Sequence, residues 1–319
     1  MTSRLTIRSP QEADRAAIAT LLTREQRAAA DVLPAISHSF TEVETCAGSI
    51  ELGESVVAVI ASEAQRVVGV LTFTFDAEYA IASSTGFAID PSAPDATQIL
   101  AAMYAEAAPR LLERGASRHL LNHLALPALN DAVANLGLGR VGVAAARKTD
   151  QVVSSPTAVE VRVGDEDDLD TIVDLAEVER RFRGSPPIYG AVDASDRETV
   201  RRQRLRGMRN DGHMPLIARV DGVDAGVLIV ERVSPERERL LEHERPFIGP
   251  TATSPQHRGR GVAAALVAAA VAHAARHGHD SISVSFSSAN PLSRPFWLGA
   301  GFQPTGYSVV RAIHPAHVT

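Results

Sequence analysis

Thr253-Ser-Pro-Gln-His-Arg-Gly-Arg-Gly-Val-Ala-Ala-Ala-Leu266 runs out of a strand, through a glycine loop and straight into an alanine-rich helix. The preceding Arg245–Thr253 reads as a strand, and the helical pattern continues from Val262 to His277 and ends at Gly278. The first amides of a helix have no intrahelical acceptor, and the helix dipole adds positive potential there, so this junction suits phosphate oxygens. Gly259 and Gly261 leave the backbone bare enough for close approach, while Arg258 and Arg260 add positive charge. A P-loop is excluded, because no Gly-Lys-Ser/Thr follows the turn. A dinucleotide fingerprint on Gly259, Gly261 and Ala264 would need an acid ending the next strand, but Asp280 precedes that strand.

Downstream, Ser281–Phe286 alternates as a strand and Pro291–Gly299 reads as a short helix. Gln256-His-Arg-Gly259-Arg-Gly261 follows the pattern Gln/Arg-x-x-Gly-x-Gly/Ala, and Asn290-Pro-Leu-Ser293-Arg-Pro-Phe296-Trp297-Leu-Gly-Ala-Gly301-Phe302 has the spacing Asn-x-x-Ala-x-x-Phe/Leu-Tyr-x-x-x-Gly-Phe. In register and with a strand between them, the two segments resemble the GNAT N-acetyltransferases over Val159–Ile313. The resemblance implies acetyl-CoA, or another acyl-CoA, wedged between splayed parallel strands Arg245–Thr253 and Ser281–Phe286. It places the pyrophosphate on the amides of Arg258, Gly259, Arg260, Gly261, Val262 and Ala263. It pairs the pantetheine arm with Ala252 and Thr253 and puts Asn290 against the cofactor.

The chain repeats. Leu5–Arg8 followed by the helical pattern Pro10–Ala29 matches Val159–Arg162 followed by Asp165–Phe182, so that Arg8 meets Arg162, Asp14 meets Asp168, and Ile18 meets Ile172. The expected organisation is two tandem GNAT-like domains, 1–147 and 158–319, joined by a polar linker at 148–157. Each would be an α/β domain with a mixed, mostly antiparallel twisted sheet flanked by helices. In the first copy the loop reads Asp90-Pro-Ser-Ala-Pro-Asp95-Ala-Thr97. Both glycines are gone, Pro94 lacks an N–H, and Asp95 would oppose a diphosphate. This copy is expected to be degenerate and to bind no CoA.

Acyl transfer to an amine needs a proton acceptor, donors for the oxyanion, and a proton for the departing thiolate. An amide near Thr253 is the expected oxyanion donor. Where the family places a proton-donating Tyr this chain has Trp297, whose indole is no acid at neutral pH. Ser293, a water or the acceptor itself then supplies the proton, and Trp297 packs the helix on the sheet. Glu244, beside His243, and Glu231 are both candidate bases, with a solvated charge run as the plainer reading of residues 242–244.

The remaining composition bounds the function. At 319 residues two domains are expected, and a net charge of −6 with pI near 6.0 argues against a general nucleic-acid binder. Cys46 is the only cysteine, so an internal disulfide is excluded and a cysteine metal site is unsupported. Met1–Asp14 has no apolar core and Val262–Ala272 is too short to span a bilayer, so a cytoplasmic protein is expected. Lys148 is the only lysine. The Arg runs at 180–183 and 201–209 are expected to be salt-bridged helix surface, with recognition of an anionic acceptor as the alternative. The leading functional expectation is an acyl-CoA-dependent N-acetyltransferase that uses a small-molecule amine in a ternary complex, with its site in the second copy. The alternatives are an enzyme of the mycothiol-synthase type, a similar tandem design, and a CoA-binding sensor without turnover.

Overall fold

The computed structural model describes residues 5–33, 35–36, 38–151, 158–190, 195–232, 239–240 and 245–314. The chain forms two compact units: Met1–Ala144 with Ser234–His243 and Pro304–Thr319, and Ala145–Val233 with Glu244–Gln303. The division differs from a single cut at residues 148–157, because each unit takes in residues from the other half of the sequence.

The first unit contains β1 (Thr6–Arg8), α1 (Arg15–Ala30), α2 (Val43–Ser49), β2 (Val57–Glu63), β3 (Arg66–Asp76), β4 (Tyr79–Ala82), β5 (Phe87–Ile89), α3 (Ala96–Glu113), β6 (Arg118–Leu124) and α4 (Pro127–Asn135). The strand β7 (Gly139–Lys148) begins in this unit. Its sheet runs β1-β2-β3-β4-β6 and is extended by the last strand of the chain, β13 (Gln303–Ala312), which lies antiparallel to β6 from Gly306↔Leu124 to Ala312↔Arg118. The chain breaks between β4 and β5: β4 pairs parallel with β6, whereas β5 pairs only with β3. Ile18, Leu21, Leu22, Ile60 and Val70 form the core under α1.

The second unit contains β8 (Glu160–Val163), α5 (Leu169–Arg183), α6 (Arg197–Asn210), β9 (Met214–Val220), β10 (Val223–Arg232), β11 (Pro246–Thr253), α7 (Val262–Arg276), β12 (Ser281–Ser287) and α8 (Ser293–Gly299). The strand order is β8-β9-β10-β11-β12, antiparallel except for β11 and β12. Ile172, Leu175, Ile217, Val227 and Ile229 are its core. Each unit is thus a mixed α/β fold, with a twisted, mostly antiparallel sheet flanked by helices.

The repeat survives in local chemistry. Asp14 accepts both guanidinium nitrogens of Arg8 at 2.7 and 2.6 Å, and Asp168 accepts those of Arg162 at 2.5 and 2.6 Å. Each aspartate also takes a backbone amide three residues earlier, at Gln11 and Asp165, so one carboxylate both ends a strand and starts a helix. Among the described residues no helix is long and apolar enough to cross a membrane.

Candidate active site

The second unit opens a wedge in its sheet. β11 and β12 pair only at Phe247↔Ser283 and Ile248↔Val284. Where pairing stops, β11 carries a bulge: between Leu228 and Val230 of β10, its partner residue moves from Thr251 to Ile248, leaving Gly249 and Pro250 as the extra length. Beyond the bulge the Ser254 amide donates to the Ala225 carbonyl at 2.8 Å, which fixes the antiparallel alternation. Ala252 therefore turns its backbone groups to β10, while those of Thr251 and Thr253 face the gap. Of the two residues expected to line the pantetheine arm, the ladder leaves Thr253 available and engages Ala252.

The start of α7 lies just past the end of β11. Gly261 is its N-cap, with φ +81°, and no side chain caps the helix. The amides of Val262 and Ala263 therefore have no intrahelical acceptor, and Ala265 is the first to donate within the helix, to the Gly261 carbonyl at 3.0 Å. Gly226 of β10 lets α7 sit close: a Cβ there would meet Val262 Cγ1 at 2.5 Å. The Arg258 and Arg260 amides are instead turned into the loop, donating to Pro255 and His257 carbonyls. Their guanidinium groups are also engaged, Arg260 on Asp221 at 2.7 Å and Arg258 over the Phe182 ring at 5.4 Å. Gly259, Gly261, Val262 and Ala263 are the residues whose amides fit a diphosphate. This is a cradle bare of side chains with a helix dipole behind it.

The second motif is built for packing. Asn290 Oδ1 accepts the amides of Leu292 at 3.0 Å and Ser293 at 3.1 Å, so this side chain starts α8. Ser293 is half-buried at the first position of α8. Trp297 is buried, edge-on to Phe302 with ring centroids 5.2 Å apart and to Phe296 at 4.9 Å. Its role here is the core contact expected of a large aromatic.

Glu231, near the end of β10, holds its carboxylate over Gly249. A Cβ on Gly249 would lie 2.5–2.7 Å from the Cδ, Oε1 and Oε2 atoms of Glu231, so any larger residue there must displace that carboxylate. Arg204 of α6 approaches that carboxylate to 3.5 Å, and His213 Nδ1 lies 4.0 Å away. Ile172, Arg204, Met208, His213, Pro215 and Ile229 line a small adjacent cleft, and the Nε of Arg204 is buried without a hydrogen-bond partner. Glu179 on α5 has its carboxyl pushed above the usual range by burial, against the pull of Arg183 and Arg204. Glu179 escaped the sequence reading. The signal for it is the repeat, which carries Glu25 of the first copy onto this position. Glu244 and His243 lie outside the described residues.

The arginine runs are largely neutralised. Glu177 binds Arg180 and Arg181, Arg183 pairs with Glu179, Arg197 with Asp170 and Asp174, and Arg209 with Glu166. In the first unit the corresponding helix start is occupied by the chain's own carboxylates. Asp95 accepts the Gln98 amide at 2.9 Å at the start of α3. Buried Asp90 takes the amide and hydroxyl of Ser92 and pairs with Arg24 and Arg66.

Residues 175–302 match the family model of the GNAT acetyltransferases. No curated protein matches the chain in sequence. Among solved structures, a GCN5-related N-acetyltransferase from Sphaerobacter thermophilus superposes with a TM-score of 0.61 at 17% identity, covering 98% of this chain and 96% of that one. A tandem GNAT protein from the clavulanic acid biosynthesis pathway gives a TM-score of 0.53 at 16% identity, covering 98% and 99%. At these identities the likeness is one of fold. The glycine loop, the splayed strands and the match to the GNAT acetyltransferase family all fall on the same stretch, residues 175–302, set in a chain with the fold of tandem GNAT proteins.

Proposed function

We propose that the second unit catalyses acyl-CoA-dependent N-acetylation of a small-molecule amine, by direct attack in a ternary complex. The observation that carries this reading is the Glu231 carboxylate over Gly249, at the bulge where β11 leaves β12, with the bare amides of α7 past the other end of the strand. Acetyl-CoA, when bound, supplies the activated acyl group. Gly259, Gly261, Val262 and Ala263 bind the diphosphate through their amides, and the backbone of Thr253 orients the arm. The gap-facing amides of Thr251 and Thr253 are the donors for an oxyanion. Glu231 accepts the proton of the attacking ammonium, directly or through one water. A thiol pKa near ~8.5 makes the thiolate a fair leaving group, so a water, Ser293 or the acceptor suffices where Trp297 offers no acid.

A buried Trp297 in place of the family's tyrosine favours a second reading, a CoA-binding sensor without turnover, and weighs against an enzyme of the mycothiol-synthase type. The lone buried Cys46 supports a cytoplasmic setting. The test is CoA release with acetyl-CoA over a panel of amines, amino acids and aminoglycosides. Turnover on one class of amine establishes the enzyme. Calorimetric binding of acetyl-CoA with no turnover on the whole panel selects the sensor.

A further inference from the structure

Arg239, in the stretch of sequence between β10 and β11, belongs to the first unit and is wholly buried there. Every guanidinium nitrogen is satisfied. Nε donates to Gln26 Oε1 at 3.1 Å, one terminal nitrogen donates to the carbonyls of Ser84 at 3.0 Å and Phe87 at 3.4 Å, and the other donates to the Leu22 carbonyl at 3.1 Å and Glu25 Oε2 at 2.9 Å. The Arg239 amide donates to Ser84 Oγ at 2.8 Å. Glu25 is itself buried, and its second oxygen accepts the Ile89 amide at 2.8 Å. Five acceptors converge on a planar cation, and the single formal charge among them is negative. That is a built guanidinium site rather than a surface ion pair.

The location of this site in the first unit gives it meaning. The pair Gly69↔Ile89 of β3 and β5 repeats Gly226↔Thr253 of β10 and β11, and each glycine makes room for the helix that follows. Phe87 then corresponds to Thr251, and the break at Ser83–Gly86 corresponds to the bulge at Gly249–Pro250. The interval separating Arg8 from Arg162 carries Glu25 onto Glu179. The Arg239 guanidinium thus lies between the helix and the bulge, the position that Glu179 and Glu231 border in the second unit. We propose that the first unit's acceptor seat is a guanidinium site, held shut by Arg239 acting as an internal ligand. The word acceptor rests on the acyl-transfer reading of the second unit; the guanidinium site does not. The first unit is thereby closed at both ends of the reaction path, by Asp90 and Asp95 at the helix start and by Arg239 at the bulge.

The test reads thermal unfolding of the full chain, so its failure is distinct from a failure of catalysis. Arg239→Ala is titrated with methylguanidinium, with methylammonium and sodium chloride as controls. The expected result is a saturable rise of the variant's Tm, about 5 °C at a hundredfold excess over Kd. Neither control should reproduce it, and the wild type should show no rise. No rise, or an equal rise with methylammonium, overturns the proposal. If Arg239→Ala is recovered unfolded, refolding is the readout. Recovery with methylguanidinium and not with methylammonium supports the site, and equal recovery or none overturns it.

Discussion

Gly249→Ala is the sharpest probe of the proposed base. The added methyl would sit 2.5 Å from Cδ and 2.6 and 2.7 Å from the two oxygens of Glu231, against an ordinary contact of 3.4–4 Å. The Gly249 backbone is not among the positive-φ positions, so alanine itself is tolerated there. The atoms in the way are the far end of a flexible side chain, so the fold gives little and the carboxylate gives about 1 Å. A misplacement of that size costs about 100-fold in rate, or ~2.7 kcal/mol of barrier. The diphosphate cradle on α7 is untouched. With the amine identified in the panel, kcat should fall about 100-fold in a CoA-release assay, while the calorimetric Kd for acetyl-CoA stays unchanged. Glu231→Gln should show a loss at least as large. An unchanged kcat in Gly249→Ala would refute the placement of Glu231 as base. A parallel loss of acetyl-CoA binding would show that the bulge holds the cofactor instead.

Gly261→Asp places a β-carbon and a negative charge at a left-handed N-cap, and should abolish acetyl-CoA binding by calorimetry, whereas Asp95→Gly in the first unit should leave it unchanged. Arg239→Met leaves Glu25 buried without its cation, since both side chains are within 1% of full burial. The expected cost is about 3–5 kcal/mol, read as a Tm lower by roughly 10 °C. Hydrogen bonding to Arg162 pulls Asp168 from 3.8 down to about 2. Between those values the unfolded chain binds more protons, so this contribution to stability is complete above pH 3.8 and is lost as the pH falls towards 2. Asp168→Asn should remove that part of the acid slope in pH-dependent denaturant unfolding. Trp297→Phe keeps most of the packing and removes no acid, so kcat should be unchanged while Tm falls by a few degrees.

The GNAT domain was legible because its signals are local. Gln256–Gly261 announces a strand-loop-helix junction through glycine spacing, and Ser281–Phe286 announces its neighbour through alternation. The roles of individual side chains were less legible. The resemblance puts Asn290 against the cofactor, and its side-chain oxygen also starts α8, a use that shares the same spacing. Ala252 and Thr253 were paired, but strand alternation separates them, and the phase of that alternation depends on a bulge that sequence does not mark. Arg258 and Arg260 looked like phosphate charges, and their partners Phe182 and Asp221 lie far away in sequence. Arg239 sits in Glu236-Arg-Glu-Arg-Leu240, a run that reads as solvated surface. Its burial depends on acceptors some 150 positions or more away, from Leu22 to Phe87. The membership of β13 in the first sheet was hidden for the same reason, since pairing with β6 leaves no mark in either strand.

That last strand bears on how the polypeptide is made. A ribosome emits β6 long before β13, so during synthesis the Arg118–Leu124 edge waits unpaired while the rest of the protein is translated. An open strand edge held for that interval invites pairing with other nascent chains. Halting translation after residue 147 would leave the same edge bare for good. The N-terminal half made alone should therefore precipitate, and adding back a peptide of residues 303–312 should restore its solubility.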